Sequence, residues 1–384
     1  MTAVRHWQDR AAALAEHLYR TGAITTPEWR SAFASVPRHI FAPTVFEGQD
    51  EINVSDPAWL DIVYSDTALL TQTATAPDTQ QLPTSSSSQP TIMAIMLELL
   101  GIEPDMRVLE IGTGTGYNTA LLSHRLDAHN VVSIDIDPRL VDVARSRLAE
   151  LGYRPILAAG DGANGLASAG PFDRILATCA VSHIPPAWIK QLTLGGRIVA
   201  PLTGQAGPLM VLNKTQPDEV TGHFTPQPAR FMPLRPAPDN PLAQGETTAF
   251  TETGMPHYGT TKLNPSHLIN PPDALLLFCQ LHAPRLRITT TPPVPSDNNG
   301  GASLIVHTSD ALAEIPLKPL PSGEWATIQR GKHRLWDTIE TAVRAWHELS
   351  EPRSERLGIT ALDNTSRQYV WLDHPEAAHS WPLS

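Results

Sequence analysis

The amino-acid sequence predicts an α/β fold, a doubly wound parallel sheet, and three observations predict it. Helical and strand-like apolar patterns alternate from Pro90 to about Leu212. A glycine-rich turn, Gly112-Thr113-Gly114-Thr115-Gly116, joins one strand to the next helix. Glu110, Asp135 and Asp161 stand at the ends of successive strands. Alternation of this kind specifies parallel strands covered on both faces, because each crossover helix must bury its apolar stripe against the sheet.

Taken in order, the first expected element is an amphipathic helix from Asp9 to Tyr19. Thr25-Thr26-Pro27-Glu28 offers a second helix start: proline is tolerated in a first turn, and Glu28 has capping-box spacing from Thr25. Trp29 and Phe33 share one face of that helix. Thr71 to Ser88, rich in Thr, Gln and Ser, reads as a polar loop or lid. The core is expected as helix 90–100, strand 107–111, helix 117–126, strand 130–135, helix 138–151 and strand 155–159. Strand 173–179, helix 186–192 and strands 196–201 and 208–213 complete it. Pro-rich segments at 225–241 and 291–296 bracket a weaker pattern, with strand-like runs at 303–307 and 325–328 and a helix from Arg334 to Leu349. The chain therefore divides into an N-terminal helical segment (1–70), a polar substrate-side loop (71–89), a cofactor-binding core (90–215) and a C-terminal α+β extension (216–384).

Length and composition bound the function. At 384 residues, 41% hydrophobic and 17% charged, the chain can build two domains and a sizeable core. A formal charge of −11 argues against a nucleic-acid partner, which calls for a basic face. The longest apolar stretch, Ile92 to Ile102, is interrupted by Glu98 and too short to span a bilayer, so no membrane partner is expected. The N-terminus lacks the apolar core of a signal peptide, and two cysteines are too few for a disulfide framework; both indicate the cytoplasm. Cys179 is expected inside an apolar strand as a core residue. The fifteen histidines lack metal-ligand spacing, and no metal is expected.

The glycine turn decides the cofactor. Glycines at 112, 114 and 116 tolerate positive φ and let a ligand approach the backbone at a helix N-terminus. Asp135 ends the second strand, beside Ile136, where ribose hydroxyls need a carboxylate acceptor. A dinucleotide site favours G-x-G-x-x-G, whereas the spacing here is G-x-G-x-G with Glu110 just ahead. That glutamate would repel a pyrophosphate but suits the sulfonium and amino group of S-adenosyl-L-methionine. Asp161, within Gly160-Asp161-Gly162, is placed to accept from an adenine amino group.

Four blocks carry a resemblance over roughly the first 215 residues: Val36-Pro37-Arg38-His39-Ile40-Phe41-Ala42-Pro43, Ser88-Gln89-Pro90-Thr91-Ile92-Met93-Ala94, the glycine turn, and Pro171 to Ile175 running through Ile184-Pro185-Pro186 to Gly195-Gly196-Arg197. In these the chain resembles the protein-L-isoaspartate O-methyltransferases, whose fold is Rossmann-like. The resemblance implies that Ser88 lies at the carboxylate to be methylated and that Gly112, Thr113, Gly114, Gly116, Asp135, Ile136, Asp161 and Gly162 hold the cofactor. Ser87, Gln89, Arg38 and His183 are the substrate-side candidates, Arg38 either as the partner of the substrate carboxylate or in a structural ion pair, and His183 either at the site or as an exposed loop histidine. Thr91 stands where relatives often place a histidine.

The chemistry makes compatible demands. A carboxylate is already ionised at neutral pH, so methyl transfer needs positioning and desolvation rather than a strong base. Hydroxyls in the run Ser85 to Ser88 can orient it. Asn270-Pro271-Pro272-Asp273 looks like the signature of amino-group methylation but falls far downstream of the fourth strand, and reads as a turn. The C-terminal extension resembles the layout of extended relatives from graspetide, lasso-peptide and lanthipeptide pathways. That likeness implies methylation of an aspartate side chain in a modified ribosomal peptide, the ester then collapsing to an aspartimide, with a precursor peptide from the same gene cluster as partner. The alternatives are general isoaspartate repair and a non-catalytic cofactor-binding subunit.

Overall fold

A computed structural model describes residues 6–48, 50–75, 81–236, 255–272, 274–292, 301–363 and 367–383. Asp273, residues 76–80 of the polar stretch, and 237–241 and 293–296 of the Pro-rich segments lie outside the described residues.

The N-terminal part holds α1 (Trp7–Arg20), α2 (Pro27–Ser35), α3 (Arg38–Phe41), β1 (Thr44–Glu47), β2 (Asp50–Asn53) and α4 (Trp59–Val63). It ends in β3 (Leu69–Thr75) and β4 (Gln81–Ser87), which pair antiparallel. The stretch expected as a loop is thus largely strand, with Ser85 and Ser87 on the buried side of β4. Threonine favours strands as readily as loops, and polar composition alone masked the alternation. The Thr25–Glu28 capping box does not form either. Thr26 caps α2 without a side-chain bond, and Glu98 from another helix accepts from Thr25 N, Thr26 N and Thr26 Oγ1 at 2.7, 2.8 and 3.0 Å. Pro27 takes the first helical turn as expected.

The core follows the expected alternation closely: α5 (Pro90–Leu100), β5 (Val108–Ile111), α6 (Tyr117–Arg125), β6 (Val131–Asp135), α7 (Pro138–Glu150), β7 (Ile156–Ala159), β8 (Phe172–Ala177), α8 (Pro186–Gln191), β9 (Leu192–Pro201) and β10 (Pro208–Gln216). Strands β7, β6, β5, β8 and β9 are parallel neighbours in that order. The chain leaves β5 in one direction and returns to β8 on its other side, which opens a crevice at the carboxyl ends of these strands.

The boundary expected at residue 215 is not a boundary in the sheet. Strand β10 turns into β11 (Glu219–Pro228), and β17 (Leu357–Leu362), β18 (Gln368–Leu372) and β19 (Ser380–Pro382) pair on beyond it, giving ten strands in one sheet among the described residues. The added half is antiparallel, so the fold is doubly wound only over its parallel half. Between β11 and β17 the chain forms β12 (His257–Thr261), α9 (Leu275–His282), β13 (Arg287–Thr291), β14 (Ser303–His307), β15 (Ala311–Pro316), β16 (Trp325–Gly331) and α10 (Leu335–Glu348). Its five strands make a separate antiparallel sheet, ordered β12-β16-β15-β14-β13, against which α10 packs.

Apolar burial holds these layers together. Leu18, Trp29, Phe33, Met96 and Leu121 fill one core, beneath the N-terminal helices. Trp188, Phe278, Trp336 and Trp346 fill the other, where the C-terminal unit docks.

Candidate active site

A cavity of about 630 Å³ opens at the carboxyl ends of β5, β6 and β8. The glycine turn forms its floor. Gly112 has φ +98°, and a Cβ there would lie 2.6 Å from Thr178 Oγ1, the hydroxyl that donates to Gly112 O at 2.7 Å. Gly116 has φ +90°, and a Cβ would approach Ala144 of α7 to 3.0 Å. Both positions need glycine for conformation and for room. The turn presents Gly114 N to Asp135 Oδ2 at 2.8 Å, while Asp135 Oδ1 accepts from Asp137 N at 3.0 Å. Asp135 is thereby fixed at the cavity edge with Ile136 beside it, and Gly112, Thr113, Gly114 and Gly162 line the same space.

Three of the expected cofactor residues do not line this cavity. Glu110 is fully buried and does not line the cavity; it accepts from Asn118 Nδ2 at 2.7 Å and Thr119 Oγ1 at 2.5 Å. Burial pushes its carboxyl up to about 7, against the pull of those hydrogen bonds. Its link to the cavity is Asn118, whose Oδ1 is buried without a hydrogen-bond partner. Asp161 does not line the cavity either: it caps a short 3₁₀ turn, accepting from Ala163 N at 2.9 Å, and leaves its neighbour Gly162 at the wall. Gly116 serves the turn's geometry and is likewise not a lining residue.

Ser85, Ser86, Ser87 and Ser88 line the cavity beside the glycine turn: a Cβ on Gly114 would lie 3.7 Å from Ser86 O and 3.8 Å from Ser85 Oγ. Ser87 Oγ is buried and unpartnered. Arg38 does not reach the substrate side. Its guanidinium is fully buried and donates to Val63 O and Ser65 O at 2.9 Å, to Thr67 O at 3.0 Å and to Ser88 O at 3.1 Å. It ties the end of the serine strand to the N-terminal segment, and burial lowers it to about 10. Gln89 lines the cavity, donating to Asp66 Oδ2 at 3.3 Å. Thr91 donates to the same Asp66 from its backbone N at 2.8 Å and its hydroxyl at 2.7 Å, so that carboxylate caps α5 from outside. His183 is exposed and absent from the lining; Ser182 is its hydrogen-bonding neighbour at 3.0 Å.

The remaining wall was missed from the sequence. After β11 the segment 228–235 crosses the crevice, held where Ala180 N donates to Met232 O at 2.9 Å and Leu234 N to Ala180 O at 2.8 Å. It brings Arg230, Phe231 and Arg235 to the cavity. The signal was present as Arg230-Phe-Met-Pro-Leu-Arg235, cations flanking an apolar run, but it fell within a segment read by its proline content. Cys179 also lines the cavity, because β8 ends at Ala177; burial pushes its thiol up to about 12, which keeps it protonated. Asn270 lies at a bend and Pro271 and Pro272 in irregular chain before α9.

These residues fit a nucleoside bearing a cationic amino-acid tail. Asp135 supplies an acceptor for hydroxyls, Asn118 Oδ1 and Ser87 Oγ are acceptors still lacking a donor, and Ile134, Ile136 and Leu140 offer an apolar face for a ring. Fold and site together define an S-adenosyl-L-methionine-dependent methyltransferase.

A model of the family described as protein-L-isoaspartate(D-aspartate) O-methyltransferase matches residues 9–237. The chain belongs to this family of carboxyl O-methyltransferases, and its cofactor is S-adenosyl-L-methionine. It is 46% identical over 151 residues to protein-L-isoaspartate O-methyltransferase 1 of Nitrosospira multiformis, covering 38% of this chain and 63% of that one. To the Cytophaga hutchinsonii protein-L-isoaspartate O-methyltransferase it is 36% identical over 208 residues, 53% of this chain and 80% of the relative. A solved structure titled protein-L-isoaspartate O-methyltransferase covers 94% of this chain and 99% of its own at a TM-score of 0.53 and 21% identity. That likeness extends the shared fold into the C-terminal region.

Proposed function

We propose that this chain methylates a carboxylate of a peptide, and specifically the side chain of an aspartate in a modified ribosomal peptide. The observation that carries the reading is one cavity with two chemically distinct sets of lining residues. The glycine turn, Asp135 and Asn118 suit the cofactor, while Ser85 to Ser88, Arg230 and Arg235 supply hydroxyls and cations to the same space. Cations and hydroxyl donors together attract and orient an ionised carboxylate. When bound, the cofactor supplies an electrophilic methyl group. Ser88 aims the carboxylate, the buried serine strand and the strap at 228–235 keep water away, and no residue has to remove a proton. The ester product is then open to attack by the next backbone nitrogen: that N–H is lost, methanol leaves, and an aspartimide ring closes.

Two cavities meeting at the same strap support a peptide of more than minimal size. A second reading, general repair of isoaspartyl sites, is favoured by the solved protein of that title whose fold matches across 94% of this chain. Initial rates on a macrocyclic aspartyl peptide and a short linear isoaspartyl peptide separate the two, followed as a methyl-ester mass gain. The first reading expects the macrocycle to be the better substrate; rapid turnover of the linear peptide alone would sink it. In either case Ser88→Ala is expected to slow turnover roughly 10- to 100-fold with cofactor affinity by calorimetry unchanged.

A further inference from the structure

The second cavity, about 660 Å³, lies on the other side of the strap and shares Arg230, Phe231 and Pro233 with the active-site cavity. Its charged lining residues, among those described, are Arg230, Arg285 and Arg287, with no acidic side chain. That is unexpected in a chain of net charge −11. The groove also carries a sheet edge. Strand β13 is the terminal strand of the five-stranded sheet, and no described strand pairs with its outer side. Ile288 directs its backbone outward there: its N–H donates to Gln205 Oε1, and its C=O accepts from Gln205 Nε2 at 2.7 Å. A side-chain amide thus occupies the first position that an added strand would take. By the alternation of an antiparallel pair, Thr290 presents the next outward N–H and C=O.

From this edge and its charge we infer that the groove beside β13 binds an acidic, extended segment of the substrate peptide. Main-chain pairing would supply affinity and the arginines the choice of sequence. The inference rests on the peptide-carboxylate reading for its link to catalysis, since the shared strap at Arg230–Pro233 would carry the chain from groove to active site.

The test uses the full chain and a fluorescein-labelled peptide of alternating Glu and Val, which contains no methylatable aspartate. Fluorescence anisotropy should show binding at low salt that weakens as salt rises, and no binding of the matching Lys-Val peptide. Arg287→Glu and Thr290→Pro, both exposed positions, should each weaken the acidic peptide about tenfold while leaving the circular dichroism spectrum unchanged. Equal binding by either variant, equal binding of the Lys-Val peptide, tighter binding of a single-stranded oligonucleotide, or no binding would overturn the inference. In turnover assays the same variants should raise KM for an acid-flanked substrate and leave an unflanked one unaffected. If anisotropy behaves as stated but no peptide carboxylate is ever methylated, the proposed function falls and the groove stands; if turnover occurs without the anisotropy signal, the reverse holds.

Discussion

Glu110 is fully buried beneath the cavity and acts on its lining through Asn118. The residue is the penultimate one of β5, under the glycine turn, and its carboxylate holds Asn118 and Thr119 in the first turn of α6. Burial there raises its pKa from 4.5 to about 7. Because the folded-state value lies above the unfolded one, folding takes up a proton between them. The stabilisation is complete below the unfolded value and is lost as pH rises through the folded one. Glutamine keeps an acceptor for Asn118 and an amide that can donate to Thr119 Oγ1, yet never ionises. Glu110→Gln should therefore gain stability relative to the native chain as pH rises from 5 to 8, by about 3 kcal/mol at most. Denaturant midpoints measured without cofactor across that range check it, and parallel curves for the two proteins would refute it.

At the scale of elements, the serine strand depends on a residue from a distant helix. Arg38 at the start of α3 binds carbonyls of Val63, Ser65 and Thr67 as well as Ser88, so it anchors the backbone at Ser88, just past the end of β4. Lysine retains the charge but presents three donors at one point and cannot bridge these carbonyls. Arg38→Lys is expected to cost about 2–4 kcal/mol of stability and to raise KM for the peptide while cofactor affinity holds. Thermal denaturation with steady-state kinetics tests both. The same element explains what was legible in the sequence. Helices and strands from Pro90 to Gln216 were readable because local periodicity and burial agree there, and α10 was readable for the same reason. Strand β4 was not, since its exposed and buried positions are all Ser, Thr, Gln or Pro apart from Leu82. The glycine turn and Asp135 were identified at the cavity because their spacing is itself the signal. Glu110, Gly116, Asp161 and Arg38 do not line it, and His183 is the exposed loop residue that its second reading expects, because a strand-end acid or a cation faces the cavity or the protein according to tertiary contacts that local sequence does not record.

The whole molecule turns on the fact that its C-terminal region is woven into the central sheet. Strands β17, β18 and β19 extend the sheet from β11, and Gln368 in β18 clamps the loop after β8: its Oε1 accepts from Ile184 N at 2.8 Å and its Nε2 donates to Ile184 O at 2.7 Å. That loop leads directly into α8, whose Trp188 donates to Gly162 O at 2.8 Å at the cavity wall. Cutting the chain after residue 236 would keep every cavity-lining residue yet uncover the long edge of β11 and release this clamp. An exposed edge of that length pairs with other chains, and the apolar face left by α9 and α10 adds to the tendency. The shortened chain is expected to aggregate or to unfold without a cooperative transition, whereas the full chain should unfold in a single one. Size-exclusion chromatography and calorimetry of the two chains decide it. A soluble fragment 1–236 binding the cofactor as tightly as the full chain would mean that the C-terminal strands cover the sheet without completing it.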